Sequence, residues 1–288
     1  MFGKRKDGKL VKNLGVVAGL MPLFAPRKRS GAVNYYTFAH EAKDYDDFIR
    51  AKKAAGEKYN YLHIVIAILV RTFKMYPRLN RFIINDRIYQ RNAIDMTMIV
   101  KKSMRKDDAG DEDVMKVRFT GFETIAEIKN RLDTEITALQ NSIDPLEKAM
   151  PVFEKLPHFI LRFIVFCLIA ADKHGLLSDK LLFEVSPFHS SFFVSYLKSI
   201  NLDYIFHHLF DFGNCGFFIT IGKENMEPYL DSESNEVKMQ KIIKMGISID
   251  ARCVDGLYYS RFLRTCKQIM RDLTILERPL EKSEIVTE

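Results

Sequence analysis

Gly246-Ile247-Ser248-Ile249-Asp250-Ala251-Arg252-Cys253-Val254-Asp255-Gly256 is the stretch on which the fold of this chain turns. Lys244–Asp250 reads as a strand, Asp255-Gly256 as a turn, and a helix follows from about Leu257 to Leu273 with Arg261-Phe262-Leu263 on it. An Asp-Gly pair alone is a weak signal, because most such pairs are simply turns. The stretch gains meaning from the elements around it.

Upstream, a short strand is expected at Asn34–His40 and a helix from about Asp44 to Ala55. Residues 59–75 are apolar nearly all round and long enough for a buried helix, which Pro77 ends. Phe82–Ile84 and Arg87–Gln90 straddle Asn85-Asp86, a hairpin signal. Residues 94–101 and 114–119 alternate as strands do, with the acidic loop DDAGDED between them, and Thr124 to about Asn141 is an amphipathic helix. Ser191–Tyr196 and Gly216–Ile221 read as further strands. The irregular alternation predicts an α/β (α+β) fold, a mixed sheet flanked by helices.

Composition bounds the function. At 288 residues, 47% hydrophobic and 28% charged, the chain can bury a full core without staples. Cys167, Cys215, Cys253 and Cys266 show neither paired nor metal-like spacing, so no disulfide framework and no metal site is expected, and a cytoplasmic setting is the default. The net charge of +7 resides in residues 1–30, where eight Lys or Arg face Asp7 alone. A solvated basic arm accounts for this more simply than nucleic-acid binding, which is not expected. Residues 14–25 follow a basic start as a signal peptide would, but Pro22 interrupts them and Arg27-Lys28-Arg29 comes directly after. Residues 156–171 are too short to span a bilayer and contain Arg162, so a buried or interface helix is expected and membrane contact is not. The organisation expected is a basic arm at 1–34, one domain at 35–280 and a polar tail at 281–288. No motif lies in residues 1–30, so their deletion is expected to leave a folded protein.

The quoted stretch resembles the end of the dihydrolipoyl acyltransferase catalytic domain, where a strand runs into D-H-R-x-x-D-G and then a helix carrying R/F-F-L. Asp250, Arg252, Asp255 and Gly256 match, and Ala251 stands where that family keeps its catalytic histidine. Tyr76-Pro77-Arg78-Leu79-Asn80 is similar to the family's P-x-L-N at the end of its long buried helix. Ser191-Phe192-Phe193-Val194-Ser195-Tyr196-Leu197 is similar to the strand bearing the oxyanion-stabilising hydroxyl. Ser195 is the matching position there, with Ser190 and Ser191 as alternatives if the strand is shifted. The matches run in order from about Tyr35 to Leu276. Chloramphenicol acetyltransferase has the same layout.

The resemblance implies a chloramphenicol-acetyltransferase-like sheet, a homotrimer with its site in a channel between subunits, and CoA or acyl-CoA as co-substrate. It makes Asp255 an ion-pair partner that holds the loop and Gly256 the residue that lets the backbone turn into the helix. In that chemistry a histidine deprotonates a thiol or hydroxyl, which attacks an acyl thioester. Alanine cannot act as a base, and losing one costs about 10²–10⁴ in rate. His189 and His208, beside His207, are the substitute bases, although a satisfied interior or surface histidine is the commoner case; Cys253 could be a nucleophile. The chain therefore reads either as a CoA-dependent acyltransferase with a displaced base or as a non-catalytic relative that binds CoA, an acyl ligand or a protein partner. No lipoyl-domain motif appears. A membrane-surface protein using the basic arm and residues 156–171 ranks last.

Overall fold

Residues 4–12, 14–101, 112–140, 156–231 and 233–286 are described by a computed structural model of the chain. Its strands are β1 (Gly8–Leu10), β2 (Val33–Glu41), β3 (Arg81–Ile84), β4 (Arg87–Arg91), β5 (Ile94–Lys101), β6 (Glu112–Phe119), β7 (Phe192–Tyr196), β8 (Phe217–Leu230) and β9 (Val237–Asp250). The helices are α1 (Val16–Phe24), α2 (Ala42–Ala54), α3 (Tyr61–Met75), α4 (Ile125–Gln140), α5 (His158–His174) and α6 (Gly256–Arg271). Six strands form a mixed sheet in the order β2-β9-β8-β7-β5-β6, and β1-β4-β3 form a smaller one. In the large sheet β5, β7 and β8 run parallel and the other pairs antiparallel. The fold is the expected α/β class. Of the loop expected at DDAGDED, residues 107–111 lie outside the described residues.

The period of two sorts each strand into two faces. Met96 and Met98, Phe192 and Val194, Phe217, Ile219 and Ile221, and Met245, Ile247 and Ile249 all join one core cluster with α3, α4 and α6. Helix α3 is buried from Tyr61 to Phe73, as its all-round apolar sequence requires. Asn60 caps it by accepting from His63 N at 3.0 Å, and the chain turns away at Tyr76-Pro77. Phe73 anchors the contact, its ring 5.0 Å from Phe192 and 5.2 Å from Phe217. Burial of such side chains stabilises by about 1.5–3 kcal/mol each.

On the opposite face, Ser195, Thr220, Gly246 and Thr37 stand level across β7, β8, β9 and β2. The irregular segment 202–210 crosses this row. Ile205 N donates to Thr220 Oγ1 at 3.2 Å, and a Cβ on Gly246 would lie 2.1 Å from Ile205 O, so only glycine admits the crossing chain. In the small sheet, Asn85 and Asp86 both have positive φ, 50° and 58°, the backbone of a two-residue hairpin turn.

Four expectations change. The basic N-terminal segment is not simply a solvated arm: β1 pairs with β4, and buried Arg5 donates to Asp7 Oδ1 at 2.9 Å and to Asp172 Oδ1 at 2.8 Å. Part of the charge that looked surplus in sequence is paired with Asp7 and with Asp172 of α5. The polar segment after 280 is also docked, with Glu284 accepting from buried Arg71 and from Arg278. Strands β8 and β9 extend to Leu230 and back from Val237, well beyond Gly216–Ile221 and Lys244–Asp250, because their outer halves carry mixed polar residues and an irregularity between Ile221 and Glu224 that hide the alternation. Helix α5 is not a buried helix: only its Asp172 is buried, while Phe159, Phe163 and Phe166 are exposed. Among the described residues no helix is long and apolar enough to cross a membrane.

Breaking the Arg5 network strands two buried carboxylates. Arg5→Ala is expected to lower the unfolding free energy by about 3–5 kcal/mol in urea titrations, whereas exposed Lys9→Ala changes it by less than about 0.5 kcal/mol. Deleting residues 1–30 removes β1 as well and is expected to lower the melting temperature sharply, the reverse of the expectation from sequence.

Candidate functional site

Strand β9 ends in a buried ion-pair clamp. Arg252 grips Asp250 with two bonds, Nε to Oδ1 at 2.8 Å and Nη2 to Oδ2 at 2.7 Å, and spends Nη1 on Arg27 O at 2.8 Å. Arg29 adds a second cation, its Nε 3.5 Å from Asp250 Oδ2, and donates to the carbonyls of Phe210 and Gly213. Ala251 N donates to Ala32 O at 2.9 Å. Residue 251 is thus held between two fixed neighbours, half-buried, and presents only a methyl group.

Asp255 caps α6, accepting from Tyr258 N at 2.8 Å, and lies 3.9 Å from Arg78 of the Pro77–Asn80 turn. Gly256 is not required by backbone geometry: its φ is not positive, and a Cβ there would meet no neighbour within 4 Å. Ser190 Oγ is turned to Pro187 O, and Ser191 Oγ accepts from Asp95 N. Ser195 Oγ makes no hydrogen bond to any described residue, so of the three serines it has the uncommitted hydroxyl.

The structure does not bring Ser195 and Ala251 together within one chain. Ser195 is level with Thr220 and Gly246, which leaves five residues of β9 and two strand spacings to Ala251. At ~3.3 Å per residue and ~4.8 Å per strand, the separation is about 19 Å.

The three side chains expected from sequence as substitute bases or nucleophile lie in different settings. His189 is 1% exposed, with Nδ1 2.7 Å from Ser186 Oγ and Nε2 3.3 Å from Asp172 Oδ1. Burial pulls its pKa below the ordinary value despite Asp172. His207 stacks on Phe218 at 4.0 Å, and His208 beside it is exposed on the outer side of the crossing segment. Burial, and then the Asp250 carboxylate, push the Cys253 thiol well above its usual range, which leaves it protonated and a poor nucleophile. Ser186, Asp172 and Lys116 were not legible as a group in sequence. Lys116 donates to the carbonyls of Leu182 and Ser186 beside them, and burial lowers its pKa to about 8.

A cavity of about 330 Å³ opens beside Arg252. Its lip carries Arg27, Lys28 and Lys173, all exposed, together with the hairpin turn Asn85-Asp86. Asp86, Asp172 and Asp211 line the cavity as well. Among the described residues no group of three or more His, Cys, Asp or Glu could hold a metal ion.

With this geometry in place, comparison with known proteins is informative. Residues 217–277, from the start of β8 through α6, match the family of 2-oxoacid dehydrogenases acyltransferase (catalytic domain). The fold is that of the dihydrolipoamide acetyltransferase core. A probable dihydrolipoamide acetyltransferase from Listeria monocytogenes 4b F2365 superposes with a TM-score of 0.57 at 15% identity, over 92% of this chain and 95% of that one. A chloramphenicol acetyltransferase does so with a TM-score of 0.54 at 15% identity, over 91% and 99%. The X-domain of teicoplanin biosynthesis, solved in complex with OxyB, has a TM-score of 0.50 at 12% identity, over 98% of this chain and 53% of that one. No curated protein matches the chain by sequence.

Buried neutral His189 gives a pH signature. Its folded pKa lies below the ordinary 6.5, so the unfolded chain binds the extra proton first as pH falls. Stability is expected to decline from pH 6.5 down to the folded pKa, and His189→Gln to flatten part of that slope in urea titrations across pH. His40, His63 and His207, shifted the same way, supply the remainder.

Proposed function

We propose that this chain is a CoA-dependent acyltransferase-like protein that binds an acyl thioester between copies of itself and turns it over poorly, because Ala251 supplies no base. The observation that carries the reading is the clamp around residue 251. Asp250, Arg252 and Asp255 hold the backbone as a catalytic histidine would need it, while His189 is buried against Ser186, His207 is stacked on Phe218 and the Cys253 thiol is held protonated.

The 19 Å between Ser195 and Ala251 favours a cyclic assembly, a homotrimer, in which Ser195 of one copy faces residue 251 of the next. The thiol or hydroxyl acceptor would arrive at residue 251 and the acyl carbonyl at Ser195, whose free hydroxyl can donate to the oxyanion. The cationic lip of Arg27, Lys28 and Lys173 fits the phosphates of CoA. No metal is needed for this chemistry. The compartment proposed is the cytoplasm.

A second reading has one observation in its favour. The apolar faces of α1 and α5, with Val16, Val17, Phe24, Phe159 and Phe163 all exposed, suit a protein partner, and the X-domain fold is found in complex with OxyB. On this reading the scaffold binds and does not catalyse.

Restoring the base separates the two. Ala251→His is expected to raise acyl transfer from acetyl-CoA at least about tenfold, inside the ~10²–10⁴ attributed to general bases, with Ser195→Ala on that background removing the gain. Thiol release over a panel of acceptors measures both. Wild-type turnover that is lost on His189→Ala or His208→Ala would overturn the proposal, and CoA titration without binding would leave the partner-binding reading. Light scattering is expected to give the mass of three chains.

A further inference from the structure

Helix α1 carries no charged side chain, and all of its residues except Pro22 are exposed, Val17 at 74% and Phe24 at 82%. A helix that packs on a body hides one apolar face, whereas this one is apolar and open around nearly its whole girth. Helix α5 presents a second apolar surface. Phe159, Phe163 and Phe166, spaced i, i+4 and i+7, form one exposed stripe, and Asp172 on the other side of the helix ties it to the body through Arg5 Nη2 at 2.8 Å.

The two helices flank the same hairpin turn. Asn85 Nδ2 donates to Lys173 O at the end of α5, at 2.7 Å, and Arg27 and Lys28, just past α1, share a cavity with Asn85, Ile169 and Lys173. Cations frame both apolar surfaces: Lys9 and Lys12 precede α1, Arg27 and Lys28 follow it, and Arg162 and Lys173 stand at the edges of the Phe stripe of α5. All six are exposed, and none is in an ion pair with a described residue. The nearby acids include Asp86 on the turn, Asp211, which accepts from Ser30 N and Oγ, and Asp179, which is paired with Lys6.

Charge and shape together select the occupant. A second copy docked two-fold would bring the same cations against these, and like charges oppose that pairing. An acidic protein would cover one face of α1 and leave the others wet. An anionic bilayer surface meets both requirements, because its interface surrounds a short apolar helix and its headgroups supply the counter-charge at the helix ends.

The geometry points to α1 and α5 as a docking surface for an anionic lipid bilayer. Helix α1 lies in the boundary between headgroups and acyl chains, Phe159, Phe163 and Phe166 enter beside it, and the six cations meet the lipid phosphates and carboxylates. Neither helix is long enough to span a membrane, and lying in its surface requires no such length. The inference does not depend on the acyl-transfer reading, and it competes with the protein-partner reading for the same surface.

The test is flotation of the full-length protein with vesicles of phosphatidylcholine mixed with phosphatidylserine, and of phosphatidylcholine alone. Binding is expected to the mixed vesicles, at least about tenfold weaker binding to the neutral ones, and release from the mixed vesicles at raised salt. Leu23→Ser combined with Phe24→Ser is expected to weaken binding at least about tenfold, with melting temperature and light-scattering mass unchanged. Phe163→Ser combined with Phe166→Ser is an independent second variant with the same expected loss. Val237→Ser, 72% exposed at the opposite end of β9 from Asp250, should change nothing. Absence of binding to the mixed vesicles would overturn the inference and leave the protein-partner reading. Equal binding to neutral vesicles, or full binding by both folded double variants, would also overturn it. So would a double variant of lowered assembly mass, which would make the surface an interface between copies.

Discussion

Asp250 is a carboxylate buried at 4% exposure, and the region around it is arranged to pair it. Moving a charge out of water costs several kcal/mol unless partners replace the lost hydration. Arg252 supplies two hydrogen bonds from two residues away, and Arg29 a second positive charge from the N-terminal segment. These arginines then spend their remaining donors on the carbonyls of Arg27, Phe210 and Gly213. One buried charge thereby joins the end of β9, the N-terminal segment and the loop before β8. Remove it, and three separate stretches of chain lose their common anchor.

A second charge cluster plays the same part along the sheet end. Arg5 bridges Asp7 and Asp172, Asp7 accepts from Asn214, and Asn214 accepts from Arg91. His189 and Ser186 complete it from the segment that leads into β7. In a low-dielectric interior such a network is stabilising only when every member is paired, which is why the N-terminal residues cannot be treated as a dispensable extension. The basic character of residues 1–30 is in part the counter-charge of acids carried by the rest of the fold.

The clamp fixes the backbone at residue 251 whatever the side chain there is. Function and fold are separable at this position, as expected when chemistry resides in side chains projected from a scaffold held by other interactions. The crossing segment 202–210 imposes a different constraint on the other face, where Gly246 and Thr220 are fixed by the approach of the Ile205 backbone.

The sequence by itself determined the local elements: the all-round apolar run that becomes α3, the Asn85-Asp86 hairpin, the alternating strands, and the strand-to-helix passage through Asp250–Gly256. These are properties of periodicity, turn chemistry and residue identity within a few positions, and they reappear in the structure, with β8 and β9 longer than the alternation showed. Tertiary structure alone decided that Arg5 and Arg29 are interior, that Ser191 is bound while Ser195 is free, that His189 is locked in a buried relay, and that Gly256 needs no glycine. It also decided that Ser195 and Ala251 stand about 19 Å apart in one chain, since five residues along one strand and two strands across fix that distance. Each of these depends on which groups from distant parts of the chain are buried together, and burial decides whether a charge, a hydroxyl or an imidazole is committed or available. No spacing along the sequence carries that information.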